Sequence, residues 1–329
     1  MPNDIRVIQY GLGPIGSAVA RHVLERDHLQ LVGGVDIDPA KVGQDLGQVI
    51  GLGRSLSFPV VARLSAVHAE ADVVLHTTHS YFDLFKGQLI EILEAGYDVV
   101  STAEELSFPW SDHRGEAEEI DAVARRVGKT VLGTGVNPGF LMDALPLYLT
   151  AICQRVDRVE VTRAMNASLR RGPFQAKIGS GMAVEAFRAK MAQGRMGHVG
   201  LPESMGMLFK ALGRNLVRYE SSVEPVVAEE PIRTVFFEVA RGQVRGLKQV
   251  ARGFTDAGEF ATLTFYAALD LEEDGDTIKI AGKPDLEVKL RGTNGDIATV
   301  AIAVNAIRNV VAASPGLLTM LDVPLVTRW

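Results

Sequence analysis

Cysteine is almost missing from this chain. Cys153 is the only one in 329 residues, so there is neither a disulfide framework nor a cysteine-based metal site. That suits a reducing compartment. No apolar run is long enough to cross a bilayer, and the N-terminus has no basic segment followed by the apolar stretch of a secretory leader. The expected location is cytoplasmic. Positive charge is also short: 34 Lys and Arg face 40 Asp and Glu, a formal net charge of −6. A nucleic-acid binder needs a basic footprint and an anionic membrane attracts one, so neither partner is expected. No internal repeat and no low-complexity tract is visible, which excludes solenoids and disordered arrays. What remains, 47% hydrophobic and 22% charged residues, is the composition of an ordinary globular protein. The length exceeds what a single hydrophobic core usually serves, so two domains are expected.

Glycine, by contrast, is placed with purpose. A short apolar strand over residues 5–10 runs directly into Gly11-Leu12-Gly13-Pro14-Ile15-Gly16. An amphipathic stretch follows with Ile15, Val19, Val23 and Leu24 on one face, and then a second apolar strand that ends in Asp36. Gly11 permits a tight strand-to-helix turn. Gly13 removes a side chain where a pyrophosphate must approach, and Gly16 lets helix and strand pack closely. The start of the helix, at Pro14 and Ile15, offers free N–H groups and a positive dipole end to phosphate. Asp36 stands where a carboxylate accepts hydrogen bonds from a ribose diol. A glycine turn between strand and helix with an acid at that distance identifies a dinucleotide-binding unit, for NAD or NADP. Asp36 favours NAD by repelling a 2′-phosphate, whereas Lys41 and Arg54 stand within reach of one.

Strands and helices alternate through the first 140 residues. Strands are expected at 72–76, 97–101 and 130–133, and helices at 82–95 and 116–127, with a short helix or loop at 39–47. This rhythm implies a mostly parallel, doubly wound Rossmann sheet with helices on both faces. The texture changes near residue 155. Residues 156–165 alternate apolar and polar, 172–181 read as a glycine-rich connection, and 182–191 and 204–212 read as helices. Strands are expected at 235–239, 247–254, 261–269 and 286–291, giving a second, α+β domain on a mostly antiparallel sheet. A strong helix at 297–312 returns to the first domain. The expected division is a dinucleotide-binding domain over 1–140, a substrate and dimerisation domain over 141–296, and a C-terminal helix and tail over 297–329.

In an open parallel sheet, ligands bind beyond the carboxyl ends of the strands. Three such ends carry polar clusters: Thr77-Thr78-His79-Ser80, Thr102-Ala103-Glu104-Glu105, and Thr134-Gly135-Val136-Asn137-Pro138-Gly139. Thr77, Thr78, His79 and Asn137 are candidates for contact with the cofactor. Glu104 and Glu105 lead as catalytic groups, since a partly buried carboxyl suits proton transfer near neutral pH. Neighbours in an extended segment point opposite ways, so only one of them is expected to face a pocket. His76 and His79 stand three residues apart, but no carboxylate or third histidine accompanies them and no metal is expected. The turn at 137–139 is expected to start a helix at Phe140 or Leu141. In the second domain Arg163, Asn166, Arg170, Arg171, Gln175, Lys177 and His198 are the polar residues near glycine turns. Phe140, Met142, Phe174 and Met182 are candidate apolar walls. Among these, Phe140, Met142, Asn166, Phe174, Gln175 and His198 make up the expected substrate pocket.

Four segments carry a family resemblance: Gln9–Gly16, Ser101–Pro109, Gly133–Asp143, and the run from Val304 to Gly316 with its Leu-Leu-Thr-Met-Leu-Asp-Val-Pro continuation. Through them the chain resembles the 2,4-diaminopentanoate dehydrogenase-like proteins and the native amine dehydrogenases. It is more distantly similar to dihydrodipicolinate reductase and homoserine dehydrogenase. The resemblance implies an NAD(P)-dependent enzyme that deaminates a primary amine to a carbonyl and, in reverse, aminates a ketone or aldehyde with ammonia. It implies a catalytic glutamate after the fifth strand, which falls on the Glu104–Glu105 pair, and of the two we take Glu104. It also implies a homodimer formed through the second domain's sheet. Without a convincing carboxylate clamp beyond Arg170–Arg171, simple ketones and aldehydes are favoured over amino acids. The competing expectation is a reductase of the dihydrodipicolinate or homoserine type, in which Lys177 or His198 would outweigh Glu104.

Overall fold

A computed structural model describes residues 4–193 and 196–329. The chain opens β1 (Ile5–Tyr10), α1 (Pro14–Leu24), β2 (Leu29–Val35), α2 (Leu46–Val49), β3 (Val60–Val61) and β4 (Val73–His76). It continues through α3 (Phe82–Glu94), β5 (Asp98–Ser101), a 3-10 turn over Glu104–Leu106, α4 (Arg114–Val127) and β6 (Thr130–Gly133). Next come α5 (Ala144–Thr150), β7 (Arg155–Asn166), α6 (Gly172–Lys177), α7 (Val184–Ala192) and α8 (Leu201–Ala211). Then follow β8 (Arg218–Val227), β9 (Ile232–Arg233), β10 (Glu238–Val239), β11 (Val244–Thr255), β12 (Gly258–Ala268), β13 (Gly275–Lys283) and β14 (Leu286–Leu290). The chain closes with α9 (Gly295–Val311) and β15 (Gly316–Leu318). Two compact units result, one of residues up to Phe140 with Asn294–Trp329, the other of Leu141–Thr293.

In the first unit, seven strands pair in the order β3-β2-β1-β4-β5-β6-β15, and every pairing is parallel. The order reverses between β1 and β4, and that switch point is where such sheets open a crevice. The strands are buried because helices cover both faces. On one face Phe82, Phe85, Leu89 and Ile92 of α3 and Ala117, Ile120 and Ala124 of α4 pack on Ile8, Val74, Val99 and Val131 of the sheet. Their three- and four-residue spacing is the stripe that makes these segments helices. Gly96 and Gly128, both at positive φ, follow the last turns and stop them. The Rossmann architecture expected from the sequence is the one observed.

The second unit holds a six-stranded sheet ordered β14-β13-β7-β12-β11-β8. It is mostly antiparallel, with one parallel pair between β7 and β12. One face is apolar and packs on Leu201, Met205, Leu208 and Phe209 of α8. Gly253 lies under that helix, where a Cβ would stand 2.5 Å from Met205 Sδ. The other face carries Arg158, Glu160, Lys248, Arg252 and Lys279, all at least partly exposed.

Several local expectations need correction. Residues 172–177 form α6 rather than open connection; Pro173 at its start pre-sets a helical φ. The helix after the 137–139 turn begins at Ala144, capped by Asp143, and not at 140 or 141. Of the strand expected at 235–239 only Glu238–Val239 is extended, in a ribbon with β9. β8 and β13 were not foreseen. β8 is a polar edge strand with a proline, and β13 has Asp276, Ile278 and Ile280 in its buried register, only two of them apolar.

Candidate active site

The glycine turn at the end of β1 is built as the sequence demands. Gly11 has φ +89°, and its N–H donates to Val35 O at 2.8 Å, joining the turn to β2. A Cβ on Gly16 would lie 1.9 Å from Gly11 O, so helix and turn touch backbone to backbone. Gly13 differs: a Cβ there would meet no protein atom within 4 Å. Its φ of −67° suits any residue, so neither packing nor backbone strain requires the glycine. The space above it is open. Gly13 is also the N-cap of α1 and supplies no side-chain acceptor, which leaves the first N–H groups of the helix for a phosphate. A dinucleotide fits this cradle.

The turn is braced from beneath by a residue the sequence reading passed over. Gln9 is fully buried, and its Nε2 donates to Gly11 O at 2.9 Å and to Thr77 Oγ1 at 2.8 Å. Thr77 Oγ1 in turn donates to Gly11 O at 3.0 Å. A polar residue flanked by apolar ones in the second half of β1, just before the glycine turn, was the available signal. Asp36 closes the other side. Its carboxylate accepts from Leu12 N at 2.7 Å, Asp38 N at 2.8 Å and Lys41 Nζ at 3.1 Å. Burial opposes its charge, but the two N–H groups and the ammonium outweigh burial and hold its carboxyl below the usual range.

At the end of β4, His76 is wholly enclosed. Its Nδ1 lies 2.9 Å from Ser101 Oγ, and its Nε2 lies 2.8 Å from both Gln88 Oε1 and Thr78 Oγ1. Thr78 Oγ1 also donates to Gln88 Oε1 at 2.7 Å. With Gln88 Oε1 as acceptor, the proton belongs on Nε2, and Nδ1 accepts from Ser101. Burial pushes the imidazole down to about 4, so it is neutral at physiological pH. His76 is a structural joint between β4 and β5, not a substrate contact. His79 is exposed, and Thr77 and Thr78 are half-buried.

The two glutamates beyond β5 have different surroundings. Glu105 Oε2 accepts from Phe82 N, the first residue of α3, at 2.6 Å and lies 3.3 Å from His113 Nε2. Glu105 lines a hollow of about 360 Å³ with Tyr81, Phe82, Asp83, Lys86, His113 and Glu116. Glu104 is half-buried, and among the described residues its carboxylate meets no hydrogen-bond or ion-pair partner. Its backbone carbonyl is held by Ser107 Oγ at 2.9 Å. Across the next exit, Thr134 N donates to Ser101 O at 2.9 Å, and Asn137 is buried.

Residues expected in the substrate pocket fare unevenly. Gln175 is fully buried and occupied: Nε2 donates to Ser168 O and Arg170 O, and Oε1 accepts from Thr234 Oγ1 at 2.8 Å. Asn166 bonds Leu271 O and Ser168 N across a turn. Met142 is enclosed in the core under α8. Phe174 packs at the edge of a neighbouring core, with the Arg170 guanidinium 4.8 Å above its ring. His198 stacks on Phe265 at 4.5 Å. Met182 lies beside the same core as Phe174, and Phe140 is half-buried at the end of the first unit. Lys177 is exposed. Arg163 forms a buried ion pair with Asp276 at 3.0 Å.

The family described as the 2,4-diaminopentanoate dehydrogenase C-terminal domain matches residues 140–329. The chain belongs to the 2,4-diaminopentanoate dehydrogenase family. Residues 5–101 match the family described as the dihydrodipicolinate reductase N-terminus. Among relatives of this family member is a 2,4-diaminopentanoate dehydrogenase from Acetoanaerobium sticklandii, 31% identical over 98% of this chain and 94% of the other. Another is an amine dehydrogenase from Streptomyces virginiae, 24% identical over 98% and 96%. The structure of an amine dehydrogenase from Mycobacterium smegmatis superposes with a TM-score of 0.87 at 26% identity, covering 99% of this chain and 98% of that one. The resemblance read from the four segments is thus borne out, and the protein is an oxidoreductase that uses NAD(P). No helix among the described residues is long and apolar enough to cross a membrane.

Proposed function

We propose that this family member is an amine dehydrogenase that interconverts a primary amine with a ketone or aldehyde and ammonia, with Glu104 as its proton-transfer group. The observation that carries the reading is Glu104 itself, a half-buried carboxylate without a partner beyond a strand's carboxyl end, on the same sheet edge as the dinucleotide cradle. The names borne by the relatives from A. sticklandii and S. virginiae and by the M. smegmatis structure support it. When bound, the nicotinamide exchanges a hydride with the substrate carbon. In the aminating direction, Glu104 takes a proton from ammonium so that the free amine can attack the carbonyl. It returns that proton to the departing hydroxyl, which leaves as water, and its charge then stabilises the iminium. Asp36 grips the adenosine ribose, with Lys41 beside it setting the balance between NAD and NADP. The polar face of the second sheet, with charges of both signs, suits an isologous pairing of two copies. The single cysteine suits a reducing, cytoplasmic setting.

The dihydrodipicolinate reductase likeness covers the dinucleotide half alone and speaks to cofactor rather than to reaction. The test is a panel of ketones, aldehydes and diamino acids, run with and without ammonia and with NADH and NADPH in parallel. Ammonia-dependent turnover that disappears in Glu104→Gln, with NADH still bound, is the expected result. Full turnover in that variant, or reduction that ignores ammonia, overturns the reading.

A further inference from the structure

We propose that Glu105 is a positioning residue that holds Glu104 in register by fastening the turn that carries both to the start of α3. The inference rests on the reading of Glu104 as the proton-transfer group. It explains why two adjacent acids do not compete for one role.

The turn is fastened at each end. Upstream, Ser101 Oγ accepts from Ala103 N at 3.2 Å while bonded to His76, and Thr102 N donates to His76 O at 3.0 Å. Downstream, Leu106 is fully buried, and its carbonyl lies against Gly133, where a Cβ would come within 2.4 Å. Glu105 supplies the lateral anchor. Its N–H reaches Ser80 O at 3.3 Å, and its carboxylate reaches the Phe82 N–H, an otherwise uncapped donor at a helix start. A carboxylate there also benefits from the helix dipole. His113 adds the second contact and is itself held flat on Phe82, ring centroids 4.7 Å apart and planes 21° apart. Anchored to the α3–α4 side in this way, Glu105 cannot swing toward a substrate without breaking both contacts. Glu104, the neighbour without contacts, stays free for one.

The test compares four variants of the full-length enzyme by kcat, KM and NADH binding measured by fluorescence titration. Glu105→Ala is expected to lower kcat by roughly 10- to 100-fold, as a misplacement of about 1 Å does, with KM and NADH affinity nearly unchanged. Glu105→Gln keeps an acceptor for Phe82 N–H and is expected to recover most of kcat. His113→Phe keeps the ring stack but not the pair, and falls between the wild type and Glu105→Ala. Glu104→Gln is inert in every case. If Glu105→Ala does not fold, Glu105→Gln and His113→Phe carry the test on their own. Wild-type kcat in Glu105→Ala overturns the proposal. So does a Glu105→Gln enzyme that binds NADH yet is as inert as Glu104→Gln, because Glu105 would then be the proton-transfer group. Activity in Glu104→Gln is the separate outcome that overturns the underlying functional reading and this inference with it.

Discussion

The interior of the second unit and the strand exits of the first unit's sheet differ in how far their polar groups are paired. In the second unit several are fully paired, although Ser180 Oγ is enclosed without a hydrogen-bond partner among the described residues. Gln175 uses both ends of its amide, Asn166 clasps a turn, Gln249 accepts from His198 N at 2.7 Å, and Arg163 faces Asp276. In the first unit, the sheet edge that faces a ligand leaves places open: the space above Gly13, the uncapped start of α1, and the carboxylate of Glu104. Polar groups enclosed and satisfied build architecture. A polar group poised at a strand exit without a partner is available for chemistry, the role proposed for Glu104. Glu105 and Glu104 repeat the contrast within two adjacent residues.

The sharpest way to break the comparison is to unsaturate the second unit. Burial lowers Arg163 and raises Asp276 despite their mutual attraction, so desolvation dominates both. Removing one partner then strands a charge. Arg163→Met is expected to cost about 3–5 kcal/mol of stability, read as a fall in the denaturant midpoint. Arg163→Met with Asp276→Leu is expected to recover most of that loss, because the pair contributes little beyond its own satisfaction. A single variant as stable as the wild type would mean that the pair is not saturated architecture.

A pH titration probes the joint beneath the site. His76 has a folded-state value of about 4 against 6.5 for the free side chain. Between those values the unfolded chain takes up a proton that the folded chain refuses, so stability is full above pH 6.5 and falls as pH drops toward 4. The loss amounts to about 3 kcal/mol. His76→Asn should be less stable at pH 7 but flatter over this window. An equal slope in wild type and variant would show that His76 is not the neutral joint described.

The first unit was legible in the sequence because its devices are local. A glycine turn lies within one strand and one helix, and Asp36 sits a fixed distance along the chain. The apolar stripes of α3 and α4 announce themselves by period. The second unit was less legible because its order is set by register between distant strands. β8 and β13 carry little apolar alternation of their own and are extended because β11 and β7 template them. The polar residues near glycine turns looked like pocket material for the same reason: nothing local says that Gln175 will find Thr234. Glu104 and Glu105 stood out as a pair, but the division of labour proposed for them rests on Phe82 N–H and His113, which sequence spacing does not bring to mind.

The smallest effect on folding is expected where the first unit was left open. Gly13→Ala adds a methyl group at φ −67°, which alanine adopts freely, and that methyl meets no protein atom within 4 Å. The stability change should stay within about 0.5 kcal/mol in either direction. Gly16→Ala, by contrast, drives its Cβ to 1.9 Å from Gly11 O and should disturb the turn itself. NADH affinity should nonetheless fall several-fold in Gly13→Ala, since the methyl occupies the approach of the pyrophosphate. Equilibrium unfolding and fluorescence titration of the same sample separate the two effects. A variant that binds NADH as the wild type does would mean that the space above Gly13 is surface rather than site, and the contrast between the units would then rest on Glu104 alone.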